Sequence, residues 1–272
     1  MAENTMPMVR PAVRVPGHFG EWMQGRLGPD GPVALVTLAC PALGVAAPGQ
    51  GPGIDRLFPR RAVAGFGCAL GLGAVAWPGL DPDMPMGAGA GASTACLVAS
   101  ARALGWNGTP EALARACLAV EGATDPLMYP APDRLLWASR EARVIEEVAP
   151  PPRCDLVGGY WGAPLRTDPD DSDFPDIADL VPFWRGAVAR GDLAAAAGIA
   201  TESARRCTAR RGPDDPMEAL VRDLGALGYT RAHTGTARAL IFAPGKAPDG
   251  AAAALGEAGL TGVLSCATGT GG

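Results

Sequence analysis

Three groups of residues have types and spacing that could do chemistry. In PMGAGAGASTACLVASARAL, residues 85–104, Gly87, Gly89 and Gly91 lead directly into an apolar helix-forming run. Glycines let a backbone approach an anion closely, and the unpaired N–H groups and positive dipole end of the following helix point at it. The stretch reads as an anion cradle, and equally as a Gly/Ala turn that caps a helix. Ser93 or Thr94 at its end could offer a hydroxyl to a nucleotide-bound Mg²⁺. Glu121 and Asp125 stand four apart at the end of the next helical run. That spacing puts two carboxylates on one face or at the C-terminal edge, where the negative dipole end calls for a cation, a donor or solvent. His18, in VPGHFGEWMQG, and His233, in RAHTGTARAL, each stand beside glycine in what reads as a turn. Both structural and catalytic roles are open to them.

Other chemistries lack their residues. Lys246 is the only lysine and sits in APGKAP, so a G-K-[ST] phosphate loop, a protein-kinase strand lysine and a Schiff-base lysine have no usual home. No G-x-S-x-G nucleophile elbow occurs. The GLGAVA stretch at 71–76 matches a dinucleotide fingerprint in letters only, since no clear strand precedes it, no long helix comes after it and Pro78 interrupts the run. The seven cysteines are spread without C-x-x-C spacing, which predicts reduced core thiols and no zinc cluster. A net charge of −5 without a long basic run argues against nucleic acid and for a small-molecule partner. The N-terminus shows no basic segment followed by an apolar stretch, and no window suits a bilayer, so a cytoplasmic protein without membrane contact is expected. Either a monomer or a homodimer is compatible with the sequence.

These residues need elements to position them. The pattern predicts strands at 12–16, 33–38 and 43–47, then helices at 93–104 and 110–121, the second capped by Thr109 with Pro110 at its first position. Strands are predicted next at 142–148 and 154–160, separated by the APPP linker at 149–152, where a lobe boundary is expected: residues 1–150 and 151–272. Beyond an acidic loop at 168–176, helices are predicted at 177–190, 192–207, 216–227 and 249–258, and strands at 238–243 and 262–266. The alternation is that of an α+β protein.

Taken in order, the segments resemble the three motifs of the galactokinase, homoserine kinase, mevalonate kinase and phosphomevalonate kinase (GHMP kinase) superfamily. Residues 16–25, PGHFGEWMQG, resemble the first motif, and the G-E-x-x-Q-G core within it is most similar to the L-threonine kinase branch associated with cobalamin and propanediol metabolism. Pro85, Gly89, Gly91, Ser93 and Ala95 match the second motif, with Ala92 in place of its first serine. Residues 232–236, AHTGT, resemble the third. VEGATD at 120–125 and the prolines from Pro150 onward also resemble that branch, so the likeness spans nearly the whole chain.

The resemblance implies a two-lobed fold, with an N-terminal β/α lobe like domain 2 of ribosomal protein S5 and a ferredoxin-like C-terminal lobe. It implies ATP held by Pro85, Gly87, Ala88, Gly89, Ala90, Gly91, Ala92, Ser93 and Thr94, and Mg²⁺ held by Ser93 and Glu121. Asp125 would orient or deprotonate the acceptor hydroxyl, with Asp133 in reserve. His18, Glu21, Arg166, His233 and Gly235 would contact the substrate, Arg166 serving the carboxylate and Glu21 the ammonium of an amino-acid acceptor. The expected reaction converts ATP and L-threonine to ADP and O-phospho-L-threonine. Homoserine or another small alcohol as acceptor, and a catalytically silent nucleotide-binding module, are the alternatives.

Overall fold

The computed structural model describes residues 12–163, 168 and 170–269. The chain opens with two long strands, β1 (Val13–Arg26) and β2 (Val33–Ala47), then two short helices, α1 (Ile54–Leu57) and α2 (Arg60–Ala69), and a two-residue strand, β3 (Asp81–Pro82). Helices α3 (Ala92–Ala103) and α4 (Pro110–Glu121) come next, then β4 (Leu135–Ala138), β5 (Arg143–Glu147) and β6 (Asp155–Tyr160). The remainder is α5 (Leu180–Ala189), α6 (Leu193–Arg211), α7 (Met217–Leu224), β7 (Gly228–Arg231), β8 (Ala237–Phe242), α8 (Ala251–Glu257) and β9 (Thr261–Ala267).

All these strands join one sheet in the order β5-β4-β2-β1-β7-β8-β6-β9, with β3 on β2, and every strand pairing is antiparallel. From β6 onward the connectivity is strand, helices, strand, strand, helix, strand, and the spatial order β7-β8-β6-β9 is that of a ferredoxin-like unit. The prolines at 150–152 carry the chain from β5, at one edge of the sheet, to β6, between β8 and β9. The two halves of the sheet meet where Glu21 of β1 pairs with Arg231 of β7.

The first motif differs from its expected turn. His18 lies within β1, and the strand runs on to Arg26 with pairing irregularities between Pro16 and Gly17, His18 and Glu21, and Glu21 and Met23. Glycines 17, 20 and 25 are not turn breakers here. A Cβ at Gly17 would meet the Met84 sulfur at 2.5 Å and the Ala90 carbonyl at 2.6 Å, and Gly20 takes a φ of +71°. Both are uses of glycine inside an irregular strand, close approach and a left-handed bend. β1 thereby becomes the central element of the molecule, with Val15, Phe19, Trp22 and Met23 buried.

Helix α4 starts where its signals place it. Thr109 accepts the N–H of Ala112, Pro110 opens the helix, and Gly122 ends it in the left-handed conformation. Helix α2, β4 and β7 lie where no element is predicted. Of the seven free cysteines, five are buried, but Cys68 is exposed and Cys266 partly so, which corrects the expectation of core thiols throughout.

Candidate active site

The three motif segments converge on one point through backbone hydrogen bonds. The N–H of His18 donates to the carbonyl of Ala90 at 3.1 Å, and the N–H groups of Thr236 and Ala237 both donate to the carbonyl of Ala88 at 2.8 Å. The glycine loop is thus stitched to β1 on one side and to the β7–β8 turn on the other. Its glycines serve that packing. A Cβ on Gly91 (φ +78°) would lie 2.7 Å from the His18 ring and 2.8 Å from Leu127, and one on Gly89 (φ +75°) would collide with the Ala232 side chain. A Cβ on Gly235 would strike the Ala88 carbonyl and the Gly89 backbone. These glycines therefore also permit close packing of the loop against β1 and the β7–β8 turn.

Gly91 begins α3 with no side chain capping it, so the first-turn N–H groups have no partner within the helix. That turn opens onto a cavity of about 390 Å³. Gly87, Gly89, Gly91, Ala92, Ser93 and Thr94 form one wall, Glu121, Thr124 and Asp125 another, Phe58, Pro59 and Met86 a third, and Arg140, Phe174 and His233 a fourth.

Thr94 ties α3 to the end of α4. Its buried hydroxyl donates to Glu121 Oε1 at 3.0 Å, lies 3.3 Å from the Thr124 hydroxyl, and accepts the N–H of Asp125 at 3.3 Å. Trp137 of β4 fixes the same turn by donating its indole N–H to the Thr124 carbonyl at 2.7 Å. The two carboxylates predicted from the spacing are therefore brought together, the left-handed Gly122 turning the chain between them. Loss of solvation pushes the Glu121 carboxyl up to about 8, against hydrogen bonding from Ser93 and with help from the charge of Asp125.

Behind Asp125 lies a buried charge cluster. His18 Nε2 is 3.3 Å from Asp125 Oδ2, and His18 Nδ1 is 3.6 Å from Glu21 Oε1 and 3.2 Å from the Gly20 carbonyl. Burial alone would strip the imidazole of its proton, but Asp125 and then Glu21 outweigh it and raise His18 to about 9. Burial likewise raises Glu21 to about 8. At neutral pH His18 is thus an imidazolium lying between Asp125 and a protonated Glu21.

His233 is the opposite case. Its Nε2 is 3.2 Å from the Asp173 carbonyl, its Nδ1 is 3.4 Å from the Cys207 sulfur, and its ring stacks on Phe174 at 3.9 Å. Burial and then Arg211 lower it to about 3, so it is neutral. With the Nε2–H given to Asp173, Nδ1 is left to accept from the thiol.

The remaining expected residues divide. Pro85, Ala88 and Ala90 belong to the loop but do not line the cavity, and Glu21, His18 and Gly235 stand behind its walls. Asp133 lies in the short 3-10 turn Pro132–Arg134, outside the cavity, whereas Asp125 lines it. Arg166 lies outside the described residues. Among the described residues no group of three or more His, Cys, Asp or Glu side chains could form an all-protein metal cage. A buried, desolvated Glu121 beside the Ser93 and Thr94 hydroxyls does suit Mg²⁺, which needs only one or two carboxylates when it arrives with nucleotide phosphates.

No protein-family model and no curated protein matches the chain by sequence. Solved structures do match. Mevalonate kinase from methicillin-resistant Staphylococcus aureus superposes with a TM-score of 0.57 at 16% identity, over 94% of this chain and 98% of that one. Homoserine kinase from Cytophaga hutchinsonii gives 0.54 at 14%, over 97% and 96%. The fold is that of the GHMP kinases. A 4-(cytidine 5'-diphospho)-2C-methyl-D-erythritol kinase of the same group aligns with a TM-score of 0.52 at 22% identity, over 94% and 98%. The GHMP kinase fold is thus a mixed α/β architecture on a large antiparallel sheet, matched over 94–97% of this chain. Among the described residues no helix is long and apolar enough to cross a membrane.

Proposed function

We propose that the chain is a small-molecule kinase that transfers the γ-phosphoryl group of ATP to the side-chain hydroxyl of L-threonine, in cobalamin biosynthesis or salvage. The carrying observation is the Glu121–Thr94–Asp125–His18 constellation at the open N-terminus of α3, beside a cavity of about 390 Å³. Mg-ATP, when bound, supplies the phosphoryl group and a counter-charge for Glu121. The first-turn N–H groups of α3 hold phosphate oxygens, and Ser93 and Glu121 are the metal-side ligands. Thr94 fixes the Glu121 carboxylate and the Asp125 backbone with one hydroxyl. Asp125 accepts the proton of the acceptor hydroxyl, and His18, 3.3 Å away, holds that side chain in place. Phosphoryl transfer asks mainly for positioning and charge neutralisation, and each of these residues supplies one or the other.

The resemblance of GEWMQG and AHTGT to the threonine kinase branch supports the choice of acceptor. The test is ADP release with Mg-ATP over a panel of L-threonine, L-homoserine, mevalonate, galactose and glycerol. Highest kcat/KM with L-threonine is expected. Turnover of another alcohol alone would move the acceptor and keep the kinase, and ADP release no faster with any alcohol than with water would remove the kinase reading.

A further inference from the structure

We propose that Arg140 recognises a carboxylate on the acceptor, so that the natural acceptor is a hydroxy acid and not a neutral sugar or polyol; this rests on the kinase reading above. Arg140 leaves β4 in the turn before β5 and lines the cavity beside Ser139. The Ser139 carbonyl accepts the N–H of Thr124 at 2.9 Å, which ties the turn carrying Arg140 to the segment carrying Asp125, and both residues line the cavity.

Its partners are what set it apart. Basic residues of α6 are paired with acids: Arg211 with Asp171 at 2.8 Å and Arg210 with Asp173, both in the acidic loop, and Arg206 with Asp179 at the start of α5 at 2.6 Å. Arg140 joins no ion pair among the described residues. It donates from Nη2 to the Asp168 carbonyl at 3.1 Å, and its guanidinium lies 5.5 Å from the Phe174 ring centre. Its Nε is buried without an acceptor. A guanidinium carries five donors in a planar fork suited to a carboxylate, and a desolvated, unsatisfied N–H is costly until an acceptor arrives. The carbonyl of Asp168 and the face of Phe174 fix the plane of that fork before any ligand binds, and this is the preorganisation that recognition requires.

The other anion in reach is the phosphoryl group, but the first turn of α3 with Ser93 and Thr94 already serves phosphate oxygens. His233, held neutral against Phe174, adds no second cation there. Arg140 therefore discriminates at the acceptor end.

The experiment compares wild type, Arg140→Met and Arg140→Lys on hydroxy acids (L-threonine, L-homoserine, R-mevalonate), each matched with its neutral amide or alcohol. KM is measured separately for ATP and acceptor, and the melting temperature is recorded with each compound alone. Arg140 is half-buried in a turn, so folded variants are expected, and unshifted melting of the free proteins checks this. In wild type the acid should be favoured over its neutral partner. In Arg140→Met that preference should shrink by about 10- to 100-fold through acceptor KM, the loss expected for a charge-assisted hydrogen bond, and Arg140→Lys should restore part of it. An unchanged preference, or a change confined to KM for ATP, overturns the proposal. If no alcohol is phosphorylated the kinase reading fails by itself. The melting data then decide: stabilisation by an acid, absent with its neutral partner and lost in Arg140→Met, supports a carboxylate site, and its absence overturns it.

Discussion

The two histidines of this chain stand in similar sequence surroundings and end in opposite states. Each is next to or near a glycine and each is buried, His18 bonded through its N–H to the glycine loop and His233 within the turn stitched to that loop. His18 is sandwiched between the carboxylates of Asp125 and Glu21 and is held charged up to about 9. His233 faces an aromatic ring, a thiol, a carbonyl and the positive Arg211, and stays neutral down to about 3. Burial acts on both in the same direction. What separates them is the sign of the nearest charges, and only His18 touches Asp125, which lines the cavity.

The hardest blow to this contrast is Asp125→Asn. It removes both the proposed base and the charge that holds the proton on His18. A fall in single-turnover rate of about 10²- to 10⁴-fold is expected, with ATP affinity little changed. The His18 resonance, followed by NMR, should titrate well below the wild-type value, while that of His233 does not move. A near-normal rate would take Asp125 out of the mechanism. Next in size is His18→Gln, which leaves the carboxylate in place but without its cation. About a tenfold to hundredfold loss of kcat is expected from misplacement of Asp125, and a pH–rate profile whose alkaline limb changes is the sign that the residue acts through Asp125.

The same contrast fixes the pH dependence of stability in the ligand-free protein. A folded His18 that keeps its proton to about 9, against 6.5 unfolded, contributes stability that is complete below pH 6.5 and lost as pH rises to 9. Glu21 and Glu121, raised to about 8 from 4.5, act in the same direction over pH 4.5 to 8. His233, lowered to about 3, contributes stability that is complete above pH 6.5 and lost as pH falls toward 3. The melting temperature should therefore decline from pH 6.5 to 9, less steeply in His18→Gln. A flat wild-type profile over that window would contradict the buried imidazolium.

The sequence shows the second half of the site better than the first. Helix α4 carries its cap, its proline and its terminal glycine as letters, so the placing of Glu121 and Asp125 comes from local rules. The glycine loop is equally readable because a helix start after Gly-Ala repeats needs no tertiary information. β1 is not readable in this way. Gly17, Gly20 and Gly25 have the letters of turns, and only packing against Met84, the β7–β8 turn and Ile177 turns them into bulges and close contacts inside a strand. Helix α2 is obscured by its own glycines, and β4 and β7 are four residues each, too short for a period to show. Arg140 carries no local signal at all, since its distinction is that it joins no ion pair among the described residues, a property of the folded surroundings alone.

The smallest effect expected is that of His233→Gln, and it sharpens the contrast most because it is the control for burial without charge. Glutamine can still donate to the Asp173 carbonyl but loses the ring that stacks on Phe174 and the nitrogen that faces Cys207. Those contacts are neutral, so their removal should cost about 0.5–1.5 kcal/mol of stability, read as a lower denaturation midpoint with an unchanged m-value. Because Phe174 also carries the guanidinium of Arg140, acceptor KM should rise by at most about tenfold, with the pH–rate profile unmoved. The acid limb of the stability curve should flatten, since the group that resists protonation is gone. A shifted pH–rate profile in this variant would mean that His233, and not only His18, exchanges a proton during turnover, and the division between the two histidines would then fail.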